Sequence, residues 1–380
     1  MTSDILWQAV SPTQPPEVPP LQQPTTTDVV VVGLGASGLT AAVRLAGAGL
    51  DVLALDRRGV AAGASGRNGG FLLAGLAEPH HRVVAQLGRE RATALYRLTA
   101  EALEATAARH PDAVRRVGSL RVSRSPDEDD DVAAQLSAMR ADGLPVEPYD
   151  GPEGRGLLFP LDAAFQPFVR ACGLARDAAT AGARLRTADV RAVDGRGVLT
   201  SVGRVEARRG VLVAVDGGFE RLVPSLAGRV RSARLQMLAT APAGDVVVER
   251  PVYARYGLDY WQQLPDGRVA LGGGRDVGGD DEWVDGAGPA PVSPPVQAYL
   301  ERLLREDIGT AAPVEHRWTG IVAFTPDALP VLAEPEPGLV AVGGYSGTGN
   351  LVGPLCARWA AERLLGGHHP LDGLLAPRGG

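Results

Sequence analysis

Apolar and polar positions alternate in blocks that change period along the chain. Val29–Val32 is an unbroken apolar run closed by Gly33, short enough for a strand and buried on both sides if it is one. Gly33, Gly35 and Gly38 then form a turn and the opening of a helix, and Asp51–Leu55 is a second apolar strand ending at Asp56. A loop at Gly59–Phe71 leads to helical spacing through Glu90–Arg109, with His110 and Pro111 at its end, and to a strand at Ser119–Ser123. The acidic run Asp127–Asp131 reads as the solvated N-terminus of a further helix, favoured there by the helix dipole. Beyond it the pattern predicts a helix over Gln166–Ala181, strands over Arg184–Val193 and Gly197–Val205, and an apolar strand at Gly210–Val215. From Ser232 to Gly273 short strands separated by turns suggest an antiparallel sheet. A Gly, Asp and Pro-rich connection, a helix over Pro295–Ile308, the strand LVAVGG and a long terminal helix complete the chain.

The segment Thr25–Arg58 has the order of one βαβ unit that holds the adenosine diphosphate of a dinucleotide. Gly33 permits the tight turn and Gly35 lets the backbone approach a pyrophosphate. Gly38 allows the helix to pack closely on the strand, while the free N–H groups of the helix start receive phosphate charge. Asp56 is placed to accept from a ribose hydroxyl. The fold expected is α/β plus α+β: a Rossmann-like nucleotide domain interrupted by a substrate domain whose sheet is mostly antiparallel. Residues 27–85, 150–228 and 318–380 are assigned to the first and residues 86–149 and 229–317 to the second. Residues 1–26, beginning near Asp4 and rich in proline, read as an extended arm without a secretory signal.

Composition narrows the chemistry. Across 380 residues, 45% hydrophobic, there is no apolar run of membrane-spanning length, so no membrane partner is expected. A net charge of −6 argues against a nucleic-acid partner. The two cysteines, Cys172 and Cys356, lack metal-ligand spacing and fall in helix-like segments. They read as buried small hydrophobes in a reducing, cytoplasmic protein, with no metal site. The 38 basic residues are all arginine, which excludes lysine Schiff bases, phosphate-loop lysines and lysine general bases.

Two further glycine-rich segments carry chemistry. GASGRNGGF, Gly63–Phe71, can lie against a flat cofactor, with backbone N–H groups, Ser65 and Asn68 as donors, although a surface turn has the same composition. GGYSGTGN, Gly343–Asn350, repeats the strand, glycine turn and helix order, and its helix start would stabilise negative charge on a nearby ring.

Together with DYWQQLPDGRVALGGGRD (Asp259–Asp276) and RWTGIVAFTPDALPVL (Arg317–Leu332), these motifs resemble the FAD-dependent amine and amino-acid oxidoreductases related to D-amino-acid, glycine and sarcosine oxidases. Within that family, Trp7, the proline-rich arm and Gly63–Gly70 most resemble the gamma-glutamylputrescine oxidoreductases. The resemblance implies FAD rather than NAD. It places Gly33, Gly35, Ala36, Ser37, Gly38, Asp56 and Arg57 on the adenosine diphosphate, and Val190 at the adenine. Ala64, Ser65, Arg67, Asn68, Gly69 and Gly70 would follow the pyrophosphate and flavin. Gly344, Gly347, Thr348, Gly349 and Asn350 would line the ring and ribityl end.

The departures are as informative. Gly320 stands where sarcosine-oxidase relatives carry a flavin-linking cysteine, so the FAD is expected to be non-covalent. Val322, Ala323 and Phe324, and Ser346, Gly347 and Thr348, occupy the regions where simple amino-acid oxidases place a carboxylate-binding arginine. No lysine stands near Ala270 to promote reaction with dioxygen, so slow reoxidation is expected although dioxygen is the acceptor assigned. The reaction expected is oxidation of a C–N bond of a small-molecule amine to an imine that water hydrolyses. Tyr260, Tyr345, Trp318, Phe71 and Tyr253 are the candidate pocket residues, each alternatively core packing; Tyr256 and Trp261 are further aromatic candidates. Arg255, Arg275, His316 and Arg317 are polar candidates that also suit structural pairs. An amino-acid oxidase or dehydrogenase with an atypical carboxylate site is the nearest alternative. A flavin monooxygenase, suggested faintly by VDGG at Val215–Gly218, and a non-catalytic flavoprotein are the others. A monomer or homodimer is expected.

Overall fold

The computed structural model describes residues 5–285 and 291–375; Asp4 and part of the connection after Gly273 lie outside them. The strand Thr26–Val32 runs parallel to Gly203–Val213 on one side and Val52–Asp56 on the other, with Val30 opposite both Val211 and Leu53. Arg184–Thr187 extends the parallel set beyond Val52–Asp56. The valine run is continuous because both faces are covered. Val29 and Val31 pack with Leu39, Leu45, Leu355 and Ala360 from two helices, whereas Val30 and Val32 pack with Phe219, Val223 and Leu226.

The long strand Gly203–Val213 divides its pairing. Its first half meets Gly197–Thr200 in an antiparallel hairpin, and its end lies parallel to Leu339–Gly343. The sheet thus draws the chain's end back beside its beginning, as the motif order of a Rossmann-like domain requires. The terminal helix Val352–Leu365 packs on the helix Ala36–Gly47, where small residues allow close contact: a Cβ on Gly353 would stand 2.6 Å from Ser37 Oγ.

A second, eight-stranded sheet is antiparallel throughout except where Val252–Ala254 runs parallel to Ser119–Val122. Its edge pair, Val314–Phe324 against Arg231–Pro242, keeps Gly320 opposite Leu235 and Val322 opposite Ala233. A separate three-stranded sheet of Phe71–Leu72, Ala163–Phe165 and Val114–Arg115 takes up the end of the Gly63–Phe71 loop.

Four local expectations change. The arm is not extended from its start, because Leu6–Ala9 is a helical turn whose Leu6 and Trp7 are buried, ahead of the first proline at Pro12. The segment from Arg184 to Val193 is two strands on opposite edges of the first sheet, Arg184–Thr187 and Val190–Asp194. The strand read at Gly197–Val205 is broken by a turn into Gly197–Thr200 and the start of Gly203–Val213, which also takes in the strand read at Gly210–Val215 and ends at Val213. The acidic run is only partly solvated. Ser125 caps the helix Pro126–Ala141, accepting from Glu128 N, and Asp127, Asp129 and Asp130 are exposed. Glu128 and Asp131, three residues apart on one face, are buried. Glu128 accepts from the backbone N–H groups of Arg124 and Tyr256, and Asp131 from Arg82 and Arg121.

Candidate active site

The βαβ turn is built by close approach. Gly33 has φ +115°, and a Cβ there would lie 2.5 Å from the Ala214 carbonyl oxygen. A Cβ on Gly38 would lie 1.9 Å from Gly33 O, so this glycine is a packing requirement of helix on turn. Gly35 instead faces the cavity, its nearest neighbour for a Cβ being Ser65 Oγ at 2.9 Å. Asp56 ties the two strand ends together: its Oδ2 accepts from Leu34 N at 3.1 Å and its Oδ1 from Arg58 N at 2.8 Å and Gly59 N at 3.2 Å.

The Gly63–Phe71 loop is pinned from distant segments. Trp7 Nε1 donates to Asn68 O (2.8 Å), Trp318 Nε1 to Arg67 O (2.8 Å), and Gln262 Nε2 to Gly69 O (2.7 Å). Asn350 Nδ2 donates to Phe71 O (2.9 Å), and Asn68 Oδ1 accepts from Gly70 N (2.9 Å). The Arg67–Phe71 end of the loop is therefore held by the protein's own bonds.

These elements enclose a cavity of about 460 Å³ running from Asp56, Arg57 and Val190, past Gly33, Gly35, Ala36 and Ser37, to Ala64, Ser65, Arg67 and Asn68. Gly347, Gly349, Asn350 and Tyr345 close its other end. The lining fits an adenine dinucleotide: glycine-lined at the turn, with a helix start facing it and an acidic strand end at the expected ribose position. Gly38, Gly70 and Gly344 do not line it. A Cβ on Gly70 would strike Gln262 Nε2 and one on Gly344 would lie 2.7 Å from Thr325 Cγ2, so both serve packing.

Sequence reading missed Asp216. It sits in VDGG with φ +61° and lines the cavity. Its buried carboxyl accepts from Ala323 N and Tyr345 N, both at 3.2 Å. Burial pushes it up to about 6 against those bonds. The signal was present as a strand end followed by two glycines; the tie of Asp216 to the last motifs makes VDGG a clamp on the turn bearing Tyr345.

A second cavity, about 330 Å³, shares Ala64, Arg67, Asn68, Gly320, Val322, Gly347 and Asn350 with the first. Phe71, Tyr253 and Tyr260 line it, with Gly69 and Thr348. Phe71 and Tyr260 form an edge-to-face pair at 6.1 Å, and Tyr253 stacks on Phe159 at 6.4 Å. Tyr345 faces the first cavity, its hydroxyl bonded to Ser37 Oγ at 2.9 Å. Trp318 lines neither cavity. Its ring packs edge-on to Trp7 at 6.4 Å and its N–H holds the loop, so it is a support. Arg255 is bound to Asp259, Asp276 and Tyr299, and Arg317 to Gln297 and Glu301, both structural groups.

Polar residues that sequence analysis did not single out also line the second cavity. Arg121 and Arg82 both bond Asp131, and Tyr256 lies under their guanidinium groups at 5.7 and 5.2 Å. Burial opposes but does not outweigh these bonds, and Asp131 titrates below its ordinary range. Asp162 accepts from Ser119 Oγ (2.6 Å) and Ala74 N (2.9 Å), and burial pushes its carboxyl up to about 7. Its folded value lies above its unfolded one, so its contribution to stability is full below about pH 4 and is lost as pH rises toward about 7, at about 1.4 kcal/mol per unit. Asp162→Asn should remove this dependence. Relative to the variant, the wild-type thermal midpoint falls across that window; parallel midpoint curves would contradict the assignment.

The model of the FAD dependent oxidoreductase (DAO) family matches residues 28–363. The chain belongs to this family. It is an FAD-dependent oxidoreductase, and the first cavity is the one whose lining fits that dinucleotide. It is 29% identical to the probable oxidoreductase OrdL of Rhizobium meliloti, over 96% of this chain and 89% of that protein. It is 26% identical to gamma-glutamylputrescine oxidoreductase of Escherichia coli, over 93% and 87%. The fold is that of glycine oxidase from Geobacillus kaustophilus, with a TM-score of 0.74, 22% identity and coverage of 93% of this chain and 100% of the other. Among the described residues, no helix is long and apolar enough to cross a membrane.

Gly320 stands on the wall common to both cavities, and Cys172 and Cys356 line neither. Acid or heat denaturation should therefore release intact FAD, read by chromatography of the supernatant; flavin retained on the denatured chain would refute non-covalent binding.

Proposed function

We propose that this oxidoreductase oxidises the C–N bond of a small-molecule amine. The observation that carries the reading is the second cavity, walled by Phe71, Tyr253 and Tyr260 and meeting the cofactor cavity at Gly320 and Val322. Bound FAD supplies a two-electron acceptor for a hydride. The chain's own part is to hold a neutral amine with its C–H bond directed at the shared wall and to keep water away. The Phe71–Tyr260 pair offers two perpendicular ring faces for the carbon beside nitrogen, and Val322 excludes charge from the same spot. Loss of a hydride from that carbon gives an iminium ion, which releases a proton to solvent as the imine, and water then yields the carbonyl compound and ammonia or a smaller amine. The name of the Escherichia coli relative, an oxidoreductase of gamma-glutamylputrescine, is consistent with an amine substrate.

Dioxygen is the acceptor assigned to the second half-reaction. Ala270 is buried and uncharged, and Arg67, which donates to Ala62 O and Thr319 O, is the cation in the shared wall. Reoxidation by dioxygen is correspondingly expected to be slow, since a free positive charge at the reaction centre favours superoxide formation.

The experiment is anaerobic bleaching of the purified, FAD-loaded protein with a panel of primary and secondary amines. Bleaching by amines supports the reading. Full FAD occupancy with no bleaching by any amine, but bleaching by α-amino acids, would replace it with amino-acid oxidation.

A further inference from the structure

The second cavity contains two arginines that no carboxylate hydrogen-bonds: Arg67, which donates to the carbonyls of Ala62 and Thr319, and Arg275. Arg82 and Arg121 share Asp131. Arg275 also lines the cavity, but among the described residues it makes no hydrogen bond or ion pair, and Asp276 beside it is bonded to Arg255 instead. Its guanidinium carbon lies 4.7 Å from the Phe324 ring centre and 4.9 Å from that of Trp283. The two rings meet edge to face at 81°, so the cation sits in an aromatic corner that fixes its plane and leaves its N–H groups for a ligand. Arg231 adds a second positive charge over the same indole, at 4.1 Å. Burial lowers the affinity of Arg275 for its proton, Asp276 partly offsets this, and the charge of Arg231 adds to it. An anion at this corner would relieve both effects.

The position of this corner sets where on a substrate the anion belongs. Gly320, Val322 and Phe324 alternate onto one face of the strand Val314–Phe324 and all line the second cavity. Gly320 and Val322 also line the cofactor cavity, whereas Phe324 does not. Four residues of strand separate Gly320 from Phe324, roughly 13 Å. Phe324 is roughly 7 Å along the strand from Val322, the nearer shared residue, so the cation beside it lies off the shared wall and away from a carbon reacting at Gly320.

We propose that Arg275 is a specificity-determining residue that receives a carboxylate carried several methylenes away from the oxidised C–N bond, so that the preferred substrates are amines with a remote acid group. This rests on the amine-oxidation reading above. A planar guanidinium held by two rings presents paired N–H groups to both carboxylate oxygens.

Two measurements on the FAD-loaded protein test it. The first is calorimetric titration with hexanoate, which has the acid group and no amine. Wild type should bind it, and Arg275→Leu, or Arg275→Gln if the leucine variant does not fold, should bind it roughly 30-fold more weakly. Equal affinity in both proteins would overturn the proposal. The second is anaerobic bleaching with 6-aminohexanoate against hexylamine. Wild type should favour the amino acid through a lower half-saturating concentration, and the substitution should erase that preference; a preference that survives it would overturn the proposal. Absence of bleaching by either compound would count against amine oxidation itself, and the hexanoate titration would then still decide the role of Arg275.

Discussion

Gly35→Val is expected to yield a folded protein without FAD, whereas Gly38→Val is expected to yield little folded protein. The two glycines are three residues apart on one turn and do opposite work. A side chain at Gly38 has nowhere to go, since its Cβ would already be 1.9 Å from a backbone carbonyl. At Gly35 the nearest obstacle is the Ser65 hydroxyl at 2.9 Å, a group that can rotate, and the remaining space is cofactor cavity. The isopropyl group would fill the approach of the pyrophosphate and disturb the bond from Ala36 N to Ser65 Oγ. Affinity for FAD should fall by at least about 100-fold, the loss of roughly two charge-assisted hydrogen bonds at 1.5–3 kcal/mol each. Flavin absorbance per polypeptide, with circular dichroism as the control for folding, checks this. Wild-type occupancy in Gly35→Val would show that the turn does not carry the pyrophosphate.

Small α-amino acids are expected to reduce the bound cofactor far less readily than the matching amines without the carboxylate. At the wall where a reacting carbon must sit, Gly320 and Val322 offer no charge. Arg67 is at that wall, with one N–H each of Nε and Nη1 turned to the carbonyls of Ala62 and Thr319. An ionised carboxylate there that Arg67 does not turn to pair costs about 3–5 kcal/mol. At about 1.4 kcal/mol per tenfold, the penalty amounts to two orders of magnitude or more in kcat/KM. Paired measurements with alanine and ethylamine, and with norleucine and pentylamine, provide the comparison. Faster reduction by the α-amino acids would overturn the substrate assignment while leaving the family and the cofactor as they stand.

The cofactor half of this protein was legible in the chain because its determinants are local. A valine run covered on both faces, three glycines at fixed offsets and an acidic strand end are all consequences of one βαβ unit. Gly33, Gly35, Asp56, Ser65 and Asn350, from three separate motifs, line one cavity. Gly38, Gly70 and Gly344 belong to the same motifs but pack against backbone and side chains, a distinction that composition cannot make.

The substrate half was not legible in the same way. Its walls come from segments far apart in the chain, and which face of each strand meets the cavity depends on register between strands. Tyr253 and Tyr260 were visible as aromatics, but nothing local distinguishes them from Trp318, which the fold turns behind the flavin loop as a donor to Arg67 O. Asp131 looked like one member of a solvated acidic run until the helix Pro126–Ala141 placed it against Arg82 and Arg121. Arg275 was one of several arginines of equal standing in the sequence. Pairing is a property of three-dimensional neighbours, and the fold gave Arg255 and Arg317 their acids while leaving Arg275 between two rings. The sequence by itself determined the dinucleotide unit and the motif order of the family, because these rest on spacing within short segments. The tertiary structure alone decided which charges remain unmatched in the substrate cavity, because that depends on side chains brought together across strands and helices.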